Sequence, residues 1–169
     1  MTVLVAYASR AGATRGVAER IAGRLRTHGL DVHMDPLLGR EEVGRFQGVV
    51  LGSPVYSWKW EKEAVDFCHR NAPALAGHPV WTFSVGWLGH GDDGPYDARQ
   101  LDDIHRLIEV RDHRFFLGAL NPTDLPLLQR LTFRMRGGRA GDFRDWAAID
   151  AWGEEIAREL AESRSVRSS

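Results

Sequence analysis

Ser9, Gly12 and Thr14 punctuate a six-residue stretch, Ser9-Arg10-Ala11-Gly12-Ala13-Thr14, whose residue types suit a phosphate. The hydroxyls at its two ends can donate hydrogen bonds to phosphate oxygens, and Gly12 lets the backbone approach an anion closely. A strand-like run, Thr2–Ala8, leads into the stretch, and a helical pattern follows at once. Loop amides and the positive end of the helix dipole would then face one concavity. A Walker loop is excluded because no lysine precedes Lys59, and the G-x-G-x-x-G dinucleotide fingerprint is absent. The stretch is short enough to suit one terminal phosphate. An ordinary strand-to-helix turn with a Ser/Thr cap is the other reading of the same residues.

Two further segments carry the residue types of a ligand site. Ser53-Pro54-Val55-Tyr56-Ser57-Trp58-Lys59-Trp60 and Gly86-Trp87-Leu88-Gly89-His90-Gly91-Asp92-Asp93-Gly94-Pro95-Tyr96 mix small residues with large aromatics. Aromatic rings in loops need a surface to pack on. A planar conjugated ligand is one such surface, and the sheet edge or a protein interface is another. His90, Asp92 and Asp93 are candidates for moving a proton, with a solvated turn as the alternative.

The elements that must position these residues alternate strand and helix. Thr2–Ala8, Leu30–Asp35, Gly48–Gly52, Pro79–Val85 and Arg114–Leu120 read as strands, several as continuous apolar runs that suit burial on both faces. Thr14–His28, Trp60–Leu75, Asp97–Val110 and Asp145–Glu162 read as helices, each with an apolar stripe such as Val17, Ile21 and Leu25. Gly29 ends the first helix, and Gly39–Phe46 is a short polar connection or helix. This alternation implies an α/β fold, a doubly wound five-stranded parallel sheet of order 2-1-3-4-5 with helices on both faces. Ligands bind such sheets beyond the carboxyl ends of the strands, at the switch point between strands 1 and 3. The Ser9–Thr14 loop leaves strand 1 at that point. Residues 1–162 read as one domain with an insert at 121–142, followed by a polar tail at 163–169 that is expected to fray.

Composition narrows the function classes. The chain has 169 residues and a formal net charge of −1, which gives no global case for nucleic acid. Cys68 is the single cysteine, so an intrachain disulfide is excluded and a reducing compartment is suited. The seven histidines lack H-x-x-H or H-E-x-x-H spacing, so no metal site is expected. The N-terminus carries no signal-peptide pattern, and no stretch reaches the ~20 apolar residues of a spanning helix. A cytoplasmic protein is expected.

In Ser9–Thr14, Gly52–Tyr56 and the loop after the fourth strand, the chain resembles flavodoxin-like FMN-binding proteins. Within them it is most similar to the flavodoxin-type, menaquinone-dependent protoporphyrinogen oxidases. Gly118-Ala119-Leu120, the basic-apolar run Leu127–Arg136, Gly137-Gly138 and the Asp145-Trp146 pair carry that finer likeness. The resemblance implies FMN as cofactor, with its phosphate on Ser9, Arg10, Ala11, Gly12, Ala13 and Thr14. It implies the flavin ring between Ser53, Pro54, Val55, Tyr56, Ser57 and Trp58 on one side and Ser84, Val85, Gly86, Trp87, Leu88 and Gly89 on the other. Tyr56 or Trp58 and Trp87 are then the stacking partners. Redox chemistry would belong to the cofactor, so no obligatory acid or base is named.

The implied activity is an FMN-dependent oxidoreductase passing electrons from an organic substrate to a quinone, with protoporphyrinogen oxidation in haem biosynthesis as the specific case. A flavodoxin electron carrier is the alternative. Its usual strong acidity, which helps docking to basic partners, is missing here. A phosphoacceptor domain on the same fold is excluded by Tyr7-Ala8-Ser9 and Ser53-Pro54, where that chemistry needs aspartates. In the insert, Leu127, Leu128, Leu131, Phe133 and Met135 alternate with Arg130, Arg134, Arg136 and Arg139. Such a segment suits peripheral contact with an anionic membrane at its inner face, where a quinone is dissolved. A helix packed on the sheet edge is the other reading.

Overall fold

The computed structural model describes residues 1–10, 12–37, 42–56, 59–86, 101–120 and 141–167. Strand β1 (Thr2–Tyr7) leads to helix α1 (Ala13–Thr27), and β2 (Asp31–Asp35) follows. After a single 3-10 turn at Val43–Arg45 come β3 (Gly48–Tyr56), β4 (Lys59–Trp60) and α2 (Lys62–Leu75). Then follow β5 (Val80–Gly86), α3 (Leu101–Ile108), β6 (Val110–Leu117), β7 (Ala119–Leu120), β8 (Gly141–Asp142) and α4 (Trp146–Arg167). The main sheet runs β2-β1-β3-β5-β6 with every pair along this path parallel. With the short β4 set aside, this is the expected 2-1-3-4-5 order.

Side chains alternate across the sheet and build two cores. Val3, Val5, Val50, Trp81, Phe83 and Val85 pack with Val17, Ile21 and Leu25 of α1 and Ile149, Trp152 and Ile156 of α4. Leu4, Ala6, Val49, Leu51 and Val80 pack on the other face with Ala64, Phe67, Cys68, Leu101, Ile104 and Ile108 of α2 and α3. Burial on both faces is why these strands read as continuous apolar runs. Burial also pushes the Cys68 thiol up to about 12, so that sulfur is a packing group. On the first face, Asp150 of α4 takes hydrogen bonds from both Arg20 and Arg24 of α1. Gly29, at φ 75°, ends the turn after α1, and the Leu30 amide closes back on the Leu25 carbonyl at 3.2 Å.

Several boundaries differ from the sequence reading, each for a local reason. β3 continues past Gly52 to Tyr56 because Val55 and Tyr56 pair antiparallel with Trp60 and Lys59. Trp60 therefore belongs to a hairpin, and α2 starts at Lys62. Glu109 turns the chain at φ 50° directly after α3, so Val110 opens β6. α4 extends to Arg167, past the helix end at Glu162 read from the sequence.

Candidate functional site

The strand registers align one edge of the sheet. Tyr7 lies beside Gly52, Ser53 beside Ser84, and Gly86 beside Leu117. The carboxyl ends of β1, β3, β5 and β6 thus open on one rim. The Ala8 amide extends the ladder by donating to the Gly52 carbonyl at 2.9 Å, and the chain then leaves the sheet through Ser9 and Arg10, both exposed.

At the head of α1, Gly12 adopts φ 83°, a left-handed conformation that glycine reaches without strain, and an added Cβ would meet nothing within 4 Å. The first helical bond runs from the Gly16 amide to the Gly12 carbonyl at 3.0 Å. The amides of Ala13, Thr14 and Arg15 therefore have no helical partner. No side chain caps the helix, and its first turn holds no acidic residue. Anion-binding capacity at this end is thus left to an external group. Thr14 is 2% exposed and lies within that first turn.

The second segment forms the β3–β4 hairpin beside this loop. Tyr56 is 49% exposed at its end. The Arg10 guanidinium lies 5.9 Å from the Tyr56 ring centroid, and Arg10 Nη2 is 2.9 Å from Glu61 Oε2. Partial burial raises the Tyr56 phenol above its ordinary pKa; the Glu61 carboxylate adds to the rise and Arg10 opposes it. Pro54 is buried and Val55 half-buried.

Ser53 and Ser84 face inward. The Ser53 hydroxyl accepts the Glu61 amide and donates to the Pro54 carbonyl, both at 2.9 Å. The Ser84 hydroxyl accepts the Trp60 indole N–H at 2.8 Å and lies 3.3 Å from His113 Nε2. Thr82 continues the line, 2.8 Å from His113 Nδ1 and 3.1 Å from His105 Nε2. Trp60 is only 4% exposed, so it anchors the hairpin in the core instead of standing open for a ligand.

The third side of the rim is built by Gly118, whose amide donates to the Gly86 carbonyl at 2.8 Å. An added Cβ there would stand 3.1 Å from Val85, 3.5 Å from the Gly86 carbonyl oxygen and 3.7 Å from Ala13. The ends of β5 and β6 and the head of α1 thus meet at one point. Just beyond it, β7 and β8 pair antiparallel and close the neck of the 121–140 segment, while Phe143 donates its amide to the Gly118 carbonyl.

The structure therefore brings Ser9, Arg10, Gly12, Ala13, Thr14, Ser53, Pro54, Val55, Tyr56, Ser84, Val85 and Gly86 to one rim. Ala11, Ser57, Trp58, Trp87, Leu88 and Gly89 lie outside the described residues, as do His90, Asp92, Asp93 and the Leu127–Arg136 run. Sequence reasoning did not single out Glu61, the paired carboxylate, or Gly118 as the contact of β5, β6 and α1. Glu61 had a weak signal, its place directly after the aromatic hairpin.

Comparison with known proteins bears on the family and the fold. The model of the flavodoxin domain matches residues 4–145. No curated protein matches the sequence. Among solved structures, a flavodoxin from the domain Archaea superposes with a TM-score of 0.67 at 15% identity, over 95% of this chain and 99% of that one. The two-electron reduced Megasphaera elsdenii flavodoxin superposes with a TM-score of 0.59 at 20% identity, over 92% of this chain and 98% of that one. Rubredoxin oxygen:oxidoreductase from Desulfovibrio gigas gives a TM-score of 0.62 at 12% identity, over 95% of this chain and 36% of that one.

Proposed function

The chain belongs to the flavodoxin domain family, whose cofactor is FMN, and we propose that within it the protein is an oxidoreductase passing electrons from a reduced organic substrate to a quinone. The loop between β1 and α1 carries this reading. It sits at the β1/β3 switch point, starts its helix from a left-handed Gly12, and leaves three amides and no carboxylate at the helix head. These residues fit a phosphate monoester dianion. FMN held there would supply the redox chemistry between an electron donor and an acceptor.

The chain's own residues bind, orient and exclude water. Ser9, Arg10, Ala11, Gly12, Ala13 and Thr14 hold the phosphate. The segments Ser53–Trp58 and Ser84–Gly89 flank the ring, with Tyr56 or Trp58 and Trp87 as stacking groups and loop amides at its polar edge. The inward hydroxyls of Ser53 and Ser84 shape these segments by fixing the Glu61 amide and the Trp60 indole.

The substrate in this reading is a reduced tetrapyrrole of the protoporphyrinogen type, oxidised on the way to haem, and the acceptor is a lipid-dissolved quinone. The likeness of Gly118-Ala119-Leu120, Leu127–Arg136 and Asp145-Trp146 to those oxidases supports it. So does the neck at β7 and β8, which roots the 121–140 segment beside Gly86 and Ala13. Among the described residues no helix is long and apolar enough to cross a membrane. We place the protein in the cytoplasm, meeting the inner face of the membrane through Leu127–Arg136. A second reading, an electron carrier without its own substrate, is favoured by the near-complete overlap with single-domain flavodoxins.

The absorption spectrum of the purified protein tests the cofactor, with flavin bands as the expected result. Turnover of a reduced tetrapyrrole with a quinone as sole acceptor separates the two readings. Substrate-dependent quinone reduction supports the oxidase. A flavin that exchanges electrons only with a second redox protein supports the carrier.

A further inference from the structure

Arg10 is the cation within the Ser9–Thr14 loop, and its charge is already engaged. Its guanidinium meets Glu61 at 2.9 Å. The two partners differ in freedom. Arg10 has a side chain 72% exposed on a loop, whereas Glu61 is 8% exposed at the start of α2. The Glu61 backbone is also fixed independently of Arg10, since its amide is held by the Ser53 hydroxyl at 2.9 Å. A phosphate dianion in the loop would be a second anion within reach of the same guanidinium, whose five donors suit phosphate oxygens well. Turning Arg10 toward that phosphate would leave a largely buried carboxylate without its cation, which is costly.

We propose that Glu61 competes with the cofactor phosphate for Arg10, and so sets how strongly the site prefers a phosphorylated flavin over an unphosphorylated one. This rests on the reading of Ser9–Thr14 as the FMN phosphate loop. Glu61→Gln removes the competing charge and leaves the backbone bond to Ser53 in place. It also sacrifices no helix cap, because the Glu61 side chain makes no capping bond to α2. Arg10, shared between the two anions in the wild type, then serves the phosphate alone as a charge-assisted donor, and such a bond corresponds to about tenfold or more in affinity. Riboflavin lacks the phosphate and does not benefit.

The test is a fluorescence titration of the flavin-free full chain with FMN and with riboflavin. It uses the wild type, Glu61→Gln, Arg10→Ala and the double variant. Expected are FMN binding about tenfold tighter in Glu61→Gln, riboflavin binding unchanged, and weaker FMN binding in Arg10→Ala. In the double variant the gain from Glu61→Gln disappears, because it acts through Arg10. Equal weakening of both flavins by Glu61→Gln overturns the proposal and makes the ion pair a clamp between the loop and the hairpin. A gain that persists without Arg10 overturns it in favour of direct repulsion between Glu61 and phosphate. FMN binding that is normal in the wild type and unmoved by Glu61→Gln overturns the proposal alone. If the wild type does not bind FMN, the phosphate-loop reading falls and takes the proposal with it.

Discussion

Thr14 is nearly fully buried in the first turn of α1, among the amides that lack helical partners. Its hydroxyl is the group in that turn best suited to donate to an anion at the helix head. A hydrogen bond to a charged acceptor contributes roughly 1.5–3 kcal/mol. Thr14→Ala is therefore expected to weaken FMN binding at least tenfold, read by fluorescence titration, and unchanged affinity would remove Thr14 from the phosphate site. At this scale the sequence was informative where chemistry is local. Ser9, Gly12 and Thr14 lie within six consecutive positions, so their joint meaning can be read along the chain. The Arg10–Glu61 pair was not legible in the same way. It joins a loop after the first strand to the start of the second helix, and only the folded sheet brings them together. The inward hydrogen bonds of Ser53 and Ser84 were not legible either. The family resemblance implied both as flavin neighbours, and a strand's two-residue alternation does not say which side a hydroxyl bonds to once both faces are covered.

At the scale of elements, the packing of β3 on β5 depends on the missing side chain at Gly52. A Cβ added there would stand 2.0 to 2.5 Å from the ring of Phe83, which is fully buried. Phe83 in turn packs against Phe116 and Trp152, with ring centroids 6.3 and 6.2 Å away. The ring has no open side to move into, so Gly52→Ala is expected to cost about 3 kcal/mol, seen as a lower denaturation midpoint at unchanged slope. The contact of α1 with α4 is tied by charge as well as by apolar stripes. Arg20 and Arg24 hold the Asp150 carboxyl well below the ordinary carboxylate range through their hydrogen bonds. A folded-state pKa below the unfolded value of about 3.9 means the stabilisation is complete above that value and is lost as pH falls through the folded pKa. Asp150→Asn is thus expected to lose about 1 kcal/mol at neutral pH. The gap to wild type should close on acidification below about pH 4, measured by urea unfolding across pH. The helix stripes and buried strands were readable because burial on both faces leaves long apolar runs. The hairpin was not, because Tyr56-Ser57-Trp58-Lys59 carries none of the Asn-Gly or Asp-Gly signals of a tight turn. The start of β6 was hidden for another reason. It follows a non-glycine residue at positive φ, and its first half, Val110-Arg111-Asp112-His113-Arg114, is polar.

For the molecule as a whole, charge and insertion decide what it meets. With 22 basic and 23 acidic residues, the chain lacks the strong negative field that would steer a carrier onto basic partners. The proposed partner contact lies in residues 121–140, the stretch between the paired strands β7 and β8. That neck follows the last strand of the main sheet. Replacing residues 121–140 with a short Gly/Ser linker is expected to leave folding and FMN binding intact while abolishing quinone-linked turnover of a tetrapyrrole. Wild-type turnover in that variant would show that the segment has no partner role, and failure to fold would assign its leucines to the core. Sedimentation with anionic vesicles distinguishes the remaining cases, since a membrane anchor loses vesicle binding and a substrate cover does not. The pairing of α1 with α4 has a different consequence, which concerns time. Arg20 and Asp150 are 130 positions apart, and a ribosome adds about 5–20 residues per second. For roughly ten seconds of synthesis, the part of the α1 face that packs on Ile149, Trp152 and Ile156 stays open. The face closed by α2 and α3 finds its partners sooner. A nascent chain of this protein therefore keeps one apolar surface only partly covered until α4 has been made.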